Sequence, residues 1–403
     1  MEMINTRSFA RAGLLGNPSD GYFGKTLSFA FANFGVDLRL TESARMRFVP
    51  GEVDDATFDS PEKLVHDLRL FGYYGGIRML KAVSKRFFEY CFEHGISLPR
   101  RNFTAEYKIN IPRLVGLSGS SAICSAMLKA LCRFYEVPIL DHSDILTFTD
   151  SNTLPSSNSN ISQFKHSNIS RSIPLAYAPT ICLEAEKYEL GINCGFQDRV
   201  IQMYNGLVFM DFEQSYVEAH NHGRYEPLDP TLIGGTLSPL VPSSSLPSSS
   251  SPLHLYVAFD PNRAEESGKA HKKVKGLFEA GKQEILAAMS EFADIAQRGR
   301  DALVGGRLQD IPALVNANFD LRDRIFNVAE QNRQMVMVAR SAGASAKFAG
   351  SGGAIVGTYE DEAQFSLLRS RLATIGCTTL KPIIATSDDV DVAGMGDGVW
   401  RNS

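Results

Sequence analysis

The sequence predicts an α+β protein built from two domains, and three observations support that prediction. The chain has 403 residues, and a domain typically holds about 100–200 residues. Apolar residues recur with helical spacing in some segments and alternate with polar ones, as in strands, in others. A Ser/Pro-rich stretch at 231–252 then separates a first domain at 1–230 from a second domain at 253–403.

The first domain is predicted to mix strands and helices. The apolar segment ARAGLLG predicts a strand that ends in a turn at Asn17-Pro18. A Ser/Asn-rich stretch at 151–172 predicts a flexible insertion, because it carries too little apolar surface to offset the entropy of ordering. Further strands are predicted within 28–49 and at 107–112, and helices at 75–94 and 120–135.

The second domain is predicted to have a split βαβ, ferredoxin-like fold. Its elements follow the order strand, helices, strand, glycine-rich turn, strand, helix and strand, which is typical of that fold. The predicted strands include 254–260 and 378–385, and the predicted helices are 274–304, 321–341 and a segment near 361–375.

Composition narrows the class of protein. Hydrophobic residues make up 44% and charged residues 21% of the chain, which are ordinary values for a globular protein. The formal net charge of -4 argues against a protein that coats nucleic acid or anionic membrane. The sequence has no apolar run long enough to span a bilayer, no secretory signal and no C-x-x-C pair among its six cysteines. We therefore expect a cytoplasmic protein with no nucleic-acid or membrane partner; the oligomeric state stays open.

One loop nearly matches a phosphate-binding motif. Ser19–Thr26 reads SDGYFGKT, close to the pattern G-x-x-x-x-G-K-[ST], in which the lysine contacts phosphate. Ser19 stands where the motif needs glycine, however, and Asp20 would place an anion beside the phosphates. These two departures from the motif argue against phosphate binding and favour a different role for this loop.

A stronger phosphate-site prediction comes from PRLVGLSGSSA, residues 112–122, which opens directly into the predicted helix at 120–135. A Gly/Ser loop that leads into a helix presents free N–H groups and the positive end of the helix dipole, and both favour phosphate. An ordinary serine-capped helix is the alternative. Two other motifs accompany it, RAGLLGNPSDGYFG at 11–24 and KFAGSGGA at 347–354.

Two carboxylates flank a glycine-containing segment, EKYELGINCGFQDR, residues 186–199. Phosphoryl transfer to a hydroxyl uses one such group to hold magnesium and another to accept or orient the hydroxyl proton. Glu186 and Asp198 could fill these two roles. Solvated surface acids are the alternative.

Together, and in this order, these segments resemble the GHMP kinases, the family of galactokinase, homoserine kinase, mevalonate kinase and phosphomevalonate kinase. The loop at 112–122 is similar to the family pattern P-x-x-x-G-L-x-S-S-A, with one extra residue before the final Ser-Ser. Within the family, GLLGNPSDGYFGKT, GLSGSSAI, FQDR, NANFDLR (316–322) and AKFAGSGGA look like the plant-type glucuronokinases. The resemblance implies the two-domain GHMP kinase fold, with the active site in the cleft between an N-terminal α/β domain and a C-terminal ferredoxin-like domain.

The resemblance also implies a role for each matched residue. Asp198 would be the catalytic carboxylate, with Arg11 beside it. Ser121 and Glu186 would hold Mg2+. The substrate sugar would contact Asp20, Tyr22 and Lys25. ATP would contact Gly116, Leu117, Ser118, Gly119, Ser120, Ser121, Ala122, Gly350, Ser351, Gly352 and Gly353.

The implied activity is an ATP- and Mg2+-dependent kinase that phosphorylates the anomeric hydroxyl of glucuronate. The sequence leaves open another sugar of the same family, namely galacturonate, arabinose or galactose, and a catalytically silent relative that binds sugar and nucleotide. The carboxylate of a uronic acid would need a cation. Lys25, Arg199 and Lys347 are candidates within the motifs, and the sequence does not choose between them.

Overall fold

The computed structural model describes residues 2–51, 54, 75–141, 171–236, 252–260 and 267–386, without the side chains of 267–272. Most of the two stretches predicted as insertion and linker, 151–172 and 231–252, therefore lies outside the described residues. The described start of the second stretch is ordered. It continues a 3-10 turn at Pro230–Ile233, in which Leu232 and Ile233 are buried.

The first sheet is built around one long strand, β2, which is 19 residues long. Residues between 27 and 41 of this strand (Lys25–Ser43) pair with β1 (Met3–Leu15), 36–43 with β4 (Asn102–Ile109) and 25–29 with β7 (Leu207–Asp211), all antiparallel. The strands are β1 (Met3–Leu15), β2 (Lys25–Ser43), β3 (Arg47–Phe48), β4 (Asn102–Ile109), β7 (Leu207–Asp211) and β8 (Arg224–Leu228); a separate short pair comprises β5 (Ile139–Leu140) and β6 (Ile173–Pro174).

A nearly fully buried helix, α2, packs against this sheet. Its sequence, GSSAICSAMLKALCRF, is apolar around most of its circumference, which is typical of a helix covered on all sides. It contacts β1, β2 and three neighbouring helices. The helices of this domain are α1 (Gly76–Glu93), α2 (Gly119–Phe134), α3 (Ala178–Glu184), α4 (Gln197–Tyr204) and α5 (Gln214–His220).

The second sheet has four antiparallel strands in the order β10-β11-β9-β12. That order and its crossovers are those of a ferredoxin-like fold, so this prediction is confirmed. The strands are β9 (Leu255–Phe259), β10 (Lys347–Phe348), β11 (Ala354–Thr358) and β12 (Thr378–Leu380). The helices are α6 (Ser267–Glu279), α7 (Gln283–Val304), α8 (Ile311–Ile325), α9 (Glu330–Ser341) and α10 (Glu362–Ala373).

Two of the helices predicted from the sequence, 274–304 and 321–341, each span parts of two helices in the structure. The chain turns between α6 and α7 at Gly281, whose φ is 70°, and again between α8 and α9. Apolar spacing continues through both breaks, because the helices on either side pack into one core, so periodicity alone did not reveal them. In the described residues, no helix combines the length and apolarity that a membrane span requires.

The predicted last strand at 378–385 is also shorter than expected. It stays in the second sheet only as far as Leu380. Beyond it, Ile383 and Ala385 form backbone hydrogen bonds with Ala32 and Ala30 of β2, with N···O distances of 2.7 and 2.9 Å. The end of the second domain is thus fastened to the first sheet.

Candidate active site

A cleft of about 620 Å³ lies between the two domains and is lined by parts of all three motifs. The predicted site residues that line it are Arg11, Asp20, Tyr22, Gly116, Leu117, Ser118, Gly119, Ser120, Asp198, Gly350 and Ser351. Those that do not line it are Lys25, Ser121, Ala122, Glu186, Gly352 and Gly353.

An ion pair between Arg11 and Asp198 forms the centre of this cleft. Arg11 extends from β1, and its Nε donates to Oδ1 of Asp198 at 2.7 Å. Its Nη1 donates to the backbone oxygens of Gly116, at 2.7 Å, and Ala349, at 2.9 Å. One guanidinium therefore joins the phosphate-loop candidate, the glycine turn of the second domain and the carboxylate.

Ser118 holds the other oxygen of Asp198. Its Oγ donates to Oδ2 at 2.7 Å. Ser118 immediately precedes α2, and its backbone lies in the left-handed region, with a φ of 67°, which is costly for a residue with a side chain. Its side chain does not cap the helix. The loop thereby brings a serine hydroxyl onto the carboxylate of Asp198.

Asp198 is kept ionised by its surroundings. Burial pushes its pKa upward, but the charges of Arg11 and Arg199 and the hydrogen bonds from Arg11 and Ser118 outweigh that effect, so the pKa lies below its usual value. Asp198 also stands in the first turn of α4, where the helix dipole favours a negative charge. The side chain is 24% exposed, so a ligand in the cleft can reach it.

The two glycine-rich loops touch each other, and this contact needs glycine on both sides. A Cβ on Gly350 would lie 2.2 Å from the backbone oxygen of Gly116. A Cβ on Gly116, whose φ is 72°, would lie 2.8 Å from the backbone oxygen of Gly352. Larger residues would therefore push the second domain away from the phosphate-loop candidate.

Asp20 forms part of the cleft wall near Asp198. Its Oδ2 accepts from the backbone N–H of Gln197 at 3.3 Å and leaves no space for a Cβ on Gly195, which would lie 2.0 Å away. Burial and repulsion from Asp198 raise the pKa of Asp20 to about 6, although the Gln197 N–H, Arg11 and Arg199 lower it. The two carboxylates thus differ in acidity, as in many catalytic pairs.

Tyr22 lies beyond Asp20 on the same wall. Its ring meets that of Phe278, from α6, edge to face, with 5.1 Å between the centroids. Burial and the nearby Asp20 charge raise the pKa of Tyr22 to about 12, so its hydroxyl stays protonated at neutral pH.

With this geometry in place, comparison with known proteins identifies the family. The model of the GHMP kinase N-terminal domain matches residues 78–151. Glucuronokinase 1 of Arabidopsis thaliana is 38% identical over 385 residues, which cover 94% of this chain and 91% of that protein. Probable glucuronokinase 2 of the same plant is 40% identical over 355 residues, covering 87% of this chain and 82% of that protein.

The chain belongs to the GHMP kinase family. A galactokinase of Lactococcus lactis, solved with galactose, superposes with a TM-score of 0.63 at 14% identity and covers 96% of this chain and 94% of that one. The predicted two-domain GHMP kinase fold is thereby confirmed. Family membership implies ATP as the phosphate donor.

The predicted magnesium ligands lie behind the wall of the cleft. Glu186 is fully buried, and its Oε2 accepts from Nε of Arg199 at 2.7 Å and also from Nη2. Its Oε1 has no hydrogen-bond partner among the described residues. The Glu186 charge adds to the burial that raises the pKa of Cys124, which lies one turn beyond Ser121 on α2. The carboxylate is therefore close to that part of α2.

The two oxygen donors, Glu186 and Ser121, are of the kind that bind magnesium arriving with a nucleotide, but neither lines the cleft in this structure. Mg2+ is commonly held by one or two carboxylates, while substrate phosphates and water supply the remaining ligands. Glu186 offers an unpaired carboxylate oxygen, and the Ser121 hydroxyl makes only a long hydrogen bond of 3.3 Å to the Ser118 backbone oxygen. The described residues contain no cluster of three or more metal-ligating side chains.

The position of Lys25 does not support its predicted contact with substrate. Lys25 opens β2, and its ammonium donates to Gln297 Oε1 at 2.8 Å and lies 3.4 Å from Asp211 Oδ2. The loop Ser19–Thr26 leads into a strand rather than a helix, so it lacks the helix N-terminus that a phosphate loop needs. Lys25 stands outside the cleft because strand alternation turns its side chain towards α7.

Gly352, Gly353 and Ala122 also stand away from the cleft. Gly353 continues into β11, and its backbone oxygen accepts from the N–H of Asp260 at 3.2 Å. Ala122 is fully buried within α2. None of the three lines the cleft, although the backbone oxygen of Gly352 faces Gly116 of the first domain.

The resemblance included NANFDLR without assigning it a role, and the structure explains this segment. Arg322 donates to the backbone oxygens of Gly350, at 3.0 Å, and Ser351, at 2.8 Å, and thereby holds the glycine turn in place. Asn318 accepts from the N–H of Gly16 at 2.6 Å. The segment lies on α8 and fastens the second domain to the loop that carries Asp20. A polar motif on an otherwise apolar helix face was the signal that could have revealed this.

Proposed function

We propose that this chain is a kinase that transfers the γ-phosphoryl group of ATP to the anomeric hydroxyl of glucuronate. The observation that carries the proposal is Asp198, an ionised carboxylate held by Arg11 and Ser118 at the meeting point of both glycine-rich loops. The relatives named glucuronokinase, which match nearly the whole chain, support the choice of sugar.

The phosphates of ATP would lie on the loop at 112–122. The first N–H groups of α2 have no partner within the helix, and the helix dipole adds positive potential there. Ser120 and Gly119 line the cleft at this end. The glycine turn at Gly350 and Ser351 closes the same space from the second domain. A magnesium ion held by the phosphates, Ser121 and Glu186 would neutralise part of the triphosphate charge.

The sugar would lie between Asp198 and the wall formed by Asp20 and Tyr22. The ionised Asp20 carboxylate would accept hydrogen bonds from ring hydroxyls, and the Tyr22 hydroxyl would donate one. This placement presents the anomeric hydroxyl to Asp198 and the opposite end of the sugar to α6.

In the reaction, the anomeric oxygen forms a bond to the γ-phosphorus as the bond from that phosphorus to the β–γ bridging oxygen breaks. ADP leaves, and the hydroxyl proton passes to Asp198. Phosphoryl transfer proceeds through a loose transition state, in which the base mainly orients the nucleophile and takes the proton late. A carboxylate of lowered pKa suits that role, and Arg11 stabilises the charge that develops on the transferred group.

The test is a substrate panel. Purified protein with ATP and Mg2+ is given glucuronate, galacturonate, glucose, galactose and arabinose, while ADP release and the sugar phosphate are measured. We expect the highest kcat/KM for glucuronate. A preference for another sugar would overturn the substrate assignment. If none of the sugars were phosphorylated by ATP, the proposed activity would be overturned.

A further inference from the structure

Within the described residues, six cationic side chains line the cleft, and three of them are already held by protein acceptors. Arg11 bonds to Asp198 and to two backbone oxygens. Arg199 bonds to Glu186 and to the backbone oxygen of Gly195. Arg322 bonds to the glycine turn. The cations of the cleft are Arg11, Arg113, Lys187, Arg199, Lys275 and Arg322.

Two of the three candidates from sequence for the substrate carboxylate do not line the cleft. Lys25 points away from it, as described above. Lys347 is 1% exposed, and its ammonium donates to the backbone oxygens of Gly13 and Phe348 and to Oδ1 of Asn17. The third candidate, Arg199, is the cation that pairs with Glu186.

Lys275 differs from these cations. It lies on α6 and is half-buried at the cleft wall. In the part of the chain that the structure describes, its ammonium forms no ion pair and no hydrogen bond, although Glu279 stands one turn further along the same helix. Residues three and four positions apart share a helix face, so Lys275 lies on the face that carries Phe278 and Glu279.

That face meets the sugar end of the cleft, because the Phe278 ring contacts Tyr22. Of the remaining cations, Arg113 follows the first residue of the phosphate-loop segment. Lys187 lies 5.3 Å from the ring centroid of Tyr188, a side chain that is 67% exposed. In a pyranose uronic acid the carboxylate stands on C5, which lies between the ring oxygen and C4, the ring atom opposite the anomeric carbon, so it projects sideways from the ring. With the reacting hydroxyl at Asp198 and C4 facing α6, the carboxylate lies in the part of the cleft that Lys275 lines.

We propose that Lys275 forms an ion pair with the carboxylate of the substrate and so selects a uronic acid over the corresponding neutral sugar. This inference rests on the proposed function, because it requires the anomeric hydroxyl to lie at Asp198. It assigns Lys275 a contact with substrate and no part in the chemical step.

The experiment compares Lys275→Met with Lys273→Met, a matched control. Lys273 lies on the same helix, is exposed and does not line the cleft. The quantities measured are kcat/KM for glucuronate and for glucose, the KM for ATP and the melting temperature. Calorimetric binding of glucuronate without ATP gives a second readout that does not depend on turnover, and Lys275→Gln replaces the methionine variant if that one does not fold.

We expect Lys275→Met to lower the ratio of the glucuronate to the glucose kcat/KM by about tenfold or more, since a hydrogen bond to a charged group is lost. The loss should appear in the KM for glucuronate, with the KM for ATP and the rate on glucose unchanged. Lys275→Arg should restore part of the ratio, and Lys273→Met should match the unmodified protein.

An unchanged ratio in Lys275→Met would overturn the inference and leave the proposed function intact. An equal loss on both sugars with a raised KM for ATP would also overturn it, because it would place Lys275 on the phosphates. If the unmodified protein itself showed no preference for glucuronate over glucose, the proposed substrate and this inference would both fall.

Discussion

Two loops of this chain look alike in sequence but lead into different elements, and this difference sets the kind of ligand that each loop suits. Ser19–Thr26 and residues 112–122 both combine glycine with serine and both line the cleft in part. The second loop opens into the 16-residue helix α2, and the first continues into the 19-residue strand β2. A helix start offers several converging N–H groups to one anion, whereas strand N–H groups are taken up by neighbouring strands.

The comparison teaches that a lysine after a glycine loop is not by itself a phosphate contact. In the first loop, strand geometry turns Lys25 towards Gln297 and leaves Asp20 and Tyr22 facing the cleft. That loop therefore suits the hydroxyl groups of a sugar, and the other loop suits phosphate.

The largest effect is expected at Asp198, the proposed catalytic carboxylate, which is hydrogen-bonded to Ser118 of the proposed phosphate loop. Asp198→Asn removes the proton acceptor and should lower kcat by roughly 10²–10⁴-fold. Affinity for ATP, measured by calorimetry, should change little, because the loop N–H groups remain. A variant that keeps half of its turnover would contradict the role of Asp198.

The raised pKa of Asp20 provides a test of its proposed contact with the sugar. Because its pKa is raised to about 6, its carboxylate gains a proton as the pH falls through that value and can no longer accept hydrogen bonds with both oxygens. At pH 5 about one tenth of the molecules keep the ionised form, so the KM for glucuronate should rise about tenfold from its value at pH 8. The KM for ATP serves as the internal control.

Asp20→Asn should have a high KM at every pH and should lose this dependence. A pH profile of the KM that is the same in the variant and the unmodified protein would show that another group titrates.

Substituting one serine in each loop, Ser118 and Ser19, distinguishes the roles of the two loops directly. Ser118→Ala removes a hydrogen bond to the charged Asp198, worth about 1.5–3 kcal/mol, and should lower kcat/KM by roughly 10- to 150-fold. Because that bond favours the ionised carboxylate, its loss raises the pKa of Asp198 and moves the acid limb of the pH–rate profile to higher pH.

Ser19→Ala provides the comparison in the other loop. It removes only the bond from Ser19 Oγ to the Lys25 backbone oxygen, which is 2.8 Å long. It should lower the free energy of unfolding by about 1 kcal/mol and leave the pH profile in place. The distinction between the loops would be contradicted if the acid limb of the pH–rate profile shifted in Ser19→Ala. It would also be contradicted if that limb did not shift in Ser118→Ala.

The smallest effect is expected for Lys25→Ala. The side chain is 31% exposed, and its ammonium contacts Gln297, Asp211 and the ring of Phe209, none of which is a predicted ligand contact. Exposed ion pairs contribute about 0–1 kcal/mol. The KM values for ATP and for glucuronate should therefore match those of the unmodified protein. A raised KM for ATP would restore the first loop as a phosphate site.

The sequence by itself determined the fold class, the ferredoxin-like second domain and the three loops that meet in the cleft. These depend on short-range signals, namely apolar periodicity, the glycine positions and the motif order. The same signals missed the breaks at Gly281 and after Ile325, because helices on both sides of each break bury their apolar faces in one core.

Only the tertiary structure decided which side chains face the cleft. It turned Ser118 onto Asp198, directed Lys25 away, buried Lys347 among backbone oxygens and brought Lys275 to the sugar end. These outcomes depend on contacts between residues far apart in the chain, such as the approach of Gly350 to Gly116, and on the burial that shifts the pKa of Asp20. Neither spacing nor composition encodes such contacts locally, because they arise only when segments far apart in the chain pack together, within the first domain for Ser118 and Asp198 and between the domains for Gly350 and Gly116.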